Sequence, residues 1–173
     1  MANVDNPHGL REIGTVFGGP SEIEEMSKVV GYGVALFVGD VVGRVADGSL
    51  EIPATPGSIL PSGVNLSYGA LSTATNHLII TSQGTIFEAQ DNAASVGLLA
   101  VDMGMNANLQ YNAGSTVTQI SGHEINETGI NTTNTLDVHL RKLYPIQNNV
   151  HGPWARIEIQ FNMHRMGTTS VGV

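Results

Sequence analysis

Six histidines are the first residues to test for chemistry, because imidazole is both a common metal ligand and a general base near neutral pH. A metal site needs its ligands at spacings that bring them to one face, as in His-x-His or His-Glu-x-x-His. His123 stands beside Glu124, His139 lies two residues after Asp137, and His164 ends an alternating stretch; none of these forms such a motif. His139 and Arg141 fall on the polar side of their stretch, which suits a surface contact better than a buried ligand. The expectation is no metal site and no cofactor.

Nucleophile signatures fail in the same way. Gly114-Ser115 is followed by Thr116-Val117, not by the x-Gly of a hydrolase elbow. His123 and Glu124 are an adjacent base and acid, but neighbours on a strand point to opposite faces. Gly31-Tyr32-Gly33 has two glycines at dinucleotide-loop spacing, yet Leu36 occupies the third glycine's place. Asp91 and Asp102 are isolated acids, without the dense aspartates of a calcium loop. Paired carboxylates for glycoside chemistry would converge only in the fold, and four Phe, four Tyr and one Trp leave few rings for a sugar platform. The chain reads as a non-enzyme.

Composition turns attention to surfaces. The 173 residues carry 15 acids against 7 Lys and Arg, a net charge of −8, and charged residues make up only 13%. Ordinary soluble domains hold about 25%. So few cations cannot neutralise many phosphates, which argues against nucleic acid, and an acidic face is repelled by anionic lipid. No apolar run approaches a membrane span, and the first residues have neither the basic start nor the apolar stretch of a signal peptide. Synthesis in a cytoplasm is expected. The Gly, Asn, Ser, Thr and Ala that replace charge cost little to desolvate under another protein. Zero cysteines exclude disulfides and thiolate chemistry.

The elements that must present this surface are mostly strands. Leu136, Val138 and Leu140 alternate with Asp137, His139 and Arg141. Ile157, Ile159, Phe161 and Met163 alternate with Glu158, Gln160 and Asn162. Period two predicts two half-buried strands, read as antiparallel neighbours joined by the long loop from Tyr144 to Pro153. Asp47-Gly48 between apolar runs predicts a hairpin. Further strands are expected at 34–38, 78–81, 85–89, 106–109 and 115–120, with 122–135 a loop holding at most one strand. Asp91 to Ala100 is the best helix candidate, capped by Asp91 or Asn92. Ser21 to Val30 is ambiguous: Ser21-Glu22-Ile23-Glu24 has the form of a capping box, while Val29-Val30 favours a strand. Glu22, Glu24 and Glu25 read as a solvated face, or as a patch for a basic or amide-rich neighbour.

The breakers Asn6-Pro7-His8-Gly9 and Gly18-Gly19-Pro20 set the first thirty residues apart. The domain reading is an N-terminal arm over 1–30, a β-rich body over 31–166 and a flexible tail over 167–173. Leu10, Ile13, Val16 and Phe17 are too few for a core of their own and read as apolar anchors of that arm. Trp154 reads first as a ring closing one end of the core and second as an anchor for a partner.

Four stretches carry a family resemblance, in order along nearly the whole chain. They are the opening Ala2 to Arg11 with Gly18-Gly19-Pro20, then Val34 to Val42, then Ile86 to Asp91 with Val101 to Leu109, and the closing Ala155 to His164. Together they resemble the head decoration, or capsid cement, proteins of tailed bacteriophages. The resemblance implies a mainly β, compact β-tulip or β-sandwich-like domain with one short helix and an extended N-terminal arm. It also implies a location on the virion surface, a major capsid protein as partner and assembly as a trimer that bridges neighbouring capsomers. An arm of this kind can add a strand to a neighbour's sheet edge. Three other readings stand beside it: a tail or head–tail connector component, a carbohydrate-binding β-sandwich and, last, an enzyme.

Overall fold

The computed structural model describes residues 3–162 and 164, and within them eleven strands form two antiparallel sheets. The strands are β1 (Arg11–Thr15), β2 (Ile23–Lys28), β3 (Val41–Arg44), β4 (Leu50–Glu51), β5 (Pro61–Asn65), β6 (Thr75–Ile80), β7 (Thr85–Gln90), β8 (Asn106–Gln110), β9 (Glu124–Asn131), β10 (Val138–Leu143) and β11 (Arg156–Phe161). The six-stranded sheet runs β1-β7-β11-β10-β8-β9, and the five-stranded sheet runs β2-β6-β5-β3-β4. The chain is mainly β, as expected, with a sandwich-like arrangement.

Alternation places the main core between the sheets. Val41, Val64 and Ile80 from one sheet pack with Phe87, Ala89, Leu109, Val138, Leu140, Ile157 and Ile159 from the other. The five-stranded sheet is buried on its second face as well, where Met26, Val42, Leu50 and Ile79 lie under Leu36, Tyr32 and Ile52. That double burial explains why Ile79 and Ile80, on opposite faces of β6, are both apolar and buried.

β10 and β11 pair antiparallel across their long loop, Val138 opposite Phe161 and Leu140 opposite Ile159. Met163 and the tail 167–173 lie outside the described residues, as does the end of the body at 166. The Asp47-Gly48 hairpin forms between β3 and β4. Val45 donates to Ser49 O at 2.9 Å, and Asp47 Oδ1 accepts from Ser49 N at 2.9 Å. Gly48 supplies the positive φ of +86° that the turn needs.

Three expectations are corrected. Residues 91–100 form no α-helix; the one helical turn nearby is a 3-10 turn at Ala100–Asp102. The amides of Asp91 and Asn92 donate instead to Ala155 O and Ile125 O, and Ala93 and Gly97 take φ of +47° and +75°, so contacts with other strands override local propensity. Ser115 to Ile120 is a tight turn closed by a bridge between its own ends, with Gln119 at φ +61°. Residues 34–38 form no strand; Leu36 and Val38 make only isolated bridges to Gly69 and Ile120, whereas the one strand allowed within 122–135 is the eight-residue β9. The ambiguous Ser21 to Val30 resolves as strand β2.

The first thirty residues are built into both sheets. β1 pairs with β7 in one sheet, and β2 pairs with β6 in the other. The connections run side by side, with Val16 N donating to Gly84 O and Thr81 N to Glu22 O. The two strand pairs thus make one antiparallel ribbon that bends at Gly18-Gly19-Pro20 and at Ser82-Gln83-Gly84, crossing from sheet to sheet. The expectation was an extended arm over 1–30 that docks elsewhere; here its two strands pair with β7 and β6 of the same chain.

Candidate interaction surface

The buried ionisable groups come first, because they decide whether chemistry or structure claims them. Glu88 lies on β7 between Arg11 of β1 and Glu158 of β11 in register. Its carboxylate is fully buried and meets Arg11 Nη2 at 2.6 Å, His8 Nε2 at 3.2 Å and Arg156 Nε. Burial alone would raise its pKa; the hydrogen bond and charge of His8, with Arg156 and Arg11, outweigh this and hold it below the usual carboxylate range. A carboxylate held by two arginines and His8 is a clamp for residues 8–11, not a proton carrier.

Asp40 and His123 form the second buried pair, Oδ1 to Nε2 at 3.4 Å. Val41 N–H donates to His123 Nδ1 at 3.1 Å, which leaves the ring proton on Nε2, facing Asp40. Phe37 N–H donates to Asp40 Oδ2 at 2.7 Å. Desolvation raises Asp40 to about 6 and lowers His123 to about 3. Both side chains are almost completely buried, and nearby Gly9 packs so closely that an added Cβ would lie 2.5 Å from Ser121 Cβ.

The signs of these two shifts give a test. The raised acid makes folding more favourable as pH falls below about 6, and the lowered base makes it less favourable as pH falls below the ordinary histidine range. In the wild type the two trends offset. Asp40→Asn should leave only the histidine, so its stability falls between pH 6 and 4 by up to about 1.4 kcal/mol per unit. His123→Gln should show the opposite slope. Urea denaturation at several pH values measures both; parallel slopes would refute the assignment.

Around this interior the surface is apolar in particular places. Phe17 stands 90% exposed at the bend of the ribbon, across Gly84. Ile23 faces the same side of the five-stranded sheet as Ile80, its register partner, and that side elsewhere packs into the main core. Leu78 follows on the same side, and Leu66 N donates to Leu78 O at 2.8 Å, which extends the row across β5's continuation. Ile23, Leu78 and Leu66 are 51%, 49% and 38% exposed. They are the part of a core-facing surface that the other sheet does not cover. β1 and β2 are both edge strands, so the row ends at unpaired backbone.

The anchors read from sequence separate on this frame. Ile13 sits at a bulge in β1, with Val16 and Phe17 beyond it on the same ribbon. Leu10 does not join them: it is 3% exposed, part of the main core, and donates to Gly39 O. As an anchor for a partner it is a correction, because the protein's own interior has claimed it. Trp154 is half-buried at φ +56°, in the connection just before β11. It lines a cleft of about 520 Å³ with Asn3, Asn6, Gln90, Asn148 and Arg156. Several of those amides hold the chain's own start in place: Asn3 Nδ2 donates to Val150 O at 2.8 Å, and Gln90 Nε2 to Val4 O at 2.8 Å. Sequence reading missed Ile23, Leu66 and Leu78. Their signal, alternation of Ile23 and Glu25 against Met26 and Lys28, was available only once β2 was known to be a strand.

Among the described residues no three histidine, aspartate or glutamate side chains gather as a metal cluster, and no helix is long and apolar enough to cross a membrane. Comparison with protein-family models, curated proteins and solved structures returned no significant match.

Proposed function

We propose that this chain is a virion structural protein that binds the outside of a phage capsid and stabilises it by bridging neighbouring capsomers, acting as a trimer. The observation that carries this reading is the uncovered apolar row of Ile23, Leu66 and Leu78, running to the free edge of β2 beside the exposed Phe17. The ordered resemblance from Ala2 to His164 supplies the setting. Apolar side chains at an open sheet edge are covered most simply by another copy, and three linked copies engage several capsid sites at once, so modest contacts multiply into firm attachment. The acidic balance keeps free copies off nucleic acid.

Light scattering on the purified protein tests the assembly step. The wild type should have a mass three times 18.2 kDa. Leu78→Asp and Ile23→Asp, at half-exposed positions, should change monomer stability by no more than about 0.5 kcal/mol yet give single copies. A wild-type monomer, or variants that stay trimeric, would count against the reading. Six or twelve copies would favour a tail or connector ring.

A further inference from the structure

The cleft beside Trp154, about 520 Å³, takes no part in the apolar row. Its volume falls within the range of small-molecule pockets, about 300–1,000 Å³. Two residues that line it are strained: Asn148 and Trp154 take φ of +65° and +56°, and for a side chain as bulky as indole this is an outlier. Such strain persists only where the surroundings fix it, and it gathers at ligand clamps. Here amides fix it. Asn149 Nδ2 donates to Tyr144 O at 2.8 Å and to Arg156 O at 2.7 Å, while its Oδ1 accepts from Arg156 N at 3.0 Å. Asn3 Nδ2 donates to Pro153 O at 3.0 Å, and Gln90 Nε2 to Trp154 O at 3.2 Å. The connection between β10 and β11 is thus braced without any ligand.

A second set of amides on the same walls is left unused. The side chains of Asn6, Gln147 and Asn148 are exposed, line the cleft and have no hydrogen-bond partner among the described residues. Each carries two N–H donors and an acceptor oxygen, the combination that pairs with a hydroxyl. The half-buried indole adds a flat apolar surface, which matches the C–H face of a pyranose ring. Charge narrows the ligand further. Arg156 is the one basic residue lining the cleft; it is committed to Glu88 and His8, and Asp5 adds a negative charge. A phosphate or carboxylate would meet repulsion there with no free cation to offset it. We propose that this cleft binds a neutral saccharide, one pyranose ring stacked on Trp154 and its hydroxyls paired with Asn6, Gln147 and Asn148. One ring suits a single sugar unit, where a long polysaccharide would need a row of them. The site stands apart from the apolar row and does not rest on the capsid reading.

Trp154 is the only tryptophan of the chain, so its fluorescence reports on this cleft alone. The test is titration of the full-length protein with glucose, galactose, mannose and N-acetylglucosamine, with glycerol as the control for a general solvent effect. At least one sugar should change the emission and saturate at millimolar concentration, as a small ligand on one aromatic platform would. Its 6-phosphate should bind at least tenfold more weakly. Gln147→Ala and Asn148→Gly remove two amides while keeping the reporter, and glycine accepts the backbone conformation at 148. Together they should weaken binding at least tenfold with little change in melting temperature. No saturable response to any of the four sugars would overturn the proposal, and so would an equal response to glycerol. Undiminished binding by the double variant would place the sugar elsewhere, and equal binding of the 6-phosphate would contradict a neutral ligand.

Discussion

Glu88→Ala should lower the unfolding free energy by about 2–4 kcal/mol, measured by chemical denaturation at neutral pH. Removing one partner of a buried ion pair commonly costs about 3–5 kcal/mol, because the remaining charge is left without compensation. The estimate is reduced because Arg11 is more than half exposed and can turn to water, while Arg156 and His8 have less freedom. The loss should be largest where the carboxylate is ionised. Its folded pKa lies below the ordinary range, so its contribution is complete above that range and fades as pH falls through the lowered value. Wild type and variant should therefore converge in acid. Glu158→Gln is the control. Its partner Lys142 is 65% exposed at 3.3 Å, and a loss below about 1 kcal/mol is expected. Equal losses at Glu88 and Glu158 would mean that the clamp on residues 8–11 is not what the geometry implies.

Gly97→Ala should be at least as damaging, by about 3–5 kcal/mol. The residue takes φ +75°, where a side chain costs about 1–2 kcal/mol. A Cβ there would also stand 2.1 Å from Gly152 C and from Pro153 N, which are backbone atoms and cannot swing aside. Forcing them apart adds about 1–3 kcal/mol and breaks the bridge between Leu98 and Gly152. Gly104→Ala separates the two contributions. That glycine has φ +89° but open space around it, so the backbone penalty alone should appear, about 1–2 kcal/mol. Similar values for both variants would show that crowding at Gly97 contributes nothing.

The same glycine explains why one part of the fold could not be read from sequence. Between Asp91 and Ala100, residue types with good helix propensity sit where β9 and the Ala155 carbonyl already claim the backbone amides. A local rule cannot see donors taken by residues as distant as Ile125 and Ala155. The strands β10 and β11 were legible because each has one face to the core and one to solvent, which writes period two into the sequence. The Asp47-Gly48 hairpin was legible because its geometry is local. β2 was not, because its core-facing row includes Ile23 left in the open and its other row buries Lys28, whose ammonium donates to Val34 O at 3.3 Å. A buried lysine satisfied by carbonyls looks like a surface residue in a sequence.

The interaction surface was legible only in part, for the same reason. Phe17 and Val16 stand out beside glycines and proline, and both are exposed. Leu10 carries an identical local signature and is buried, since its neighbour Gly39 accepts its N–H and the main core receives its side chain. Exposure of an apolar residue is a property of what the rest of the chain covers. The row at Ile23, Leu66 and Leu78 emerges only from the mismatch in extent between two sheets.

Capsid binding is the most direct test of the central claim. Purified protein should be added to shells that lack it, with bound copies counted after sedimentation and located by electron cryomicroscopy. The account predicts threefold clusters on the outer face, a higher melting temperature for the decorated shell, and no attachment by Leu78→Asp. Shells that emerge bare and no more heat-resistant would contradict it, and so would protein bound inside the shell or along a tail.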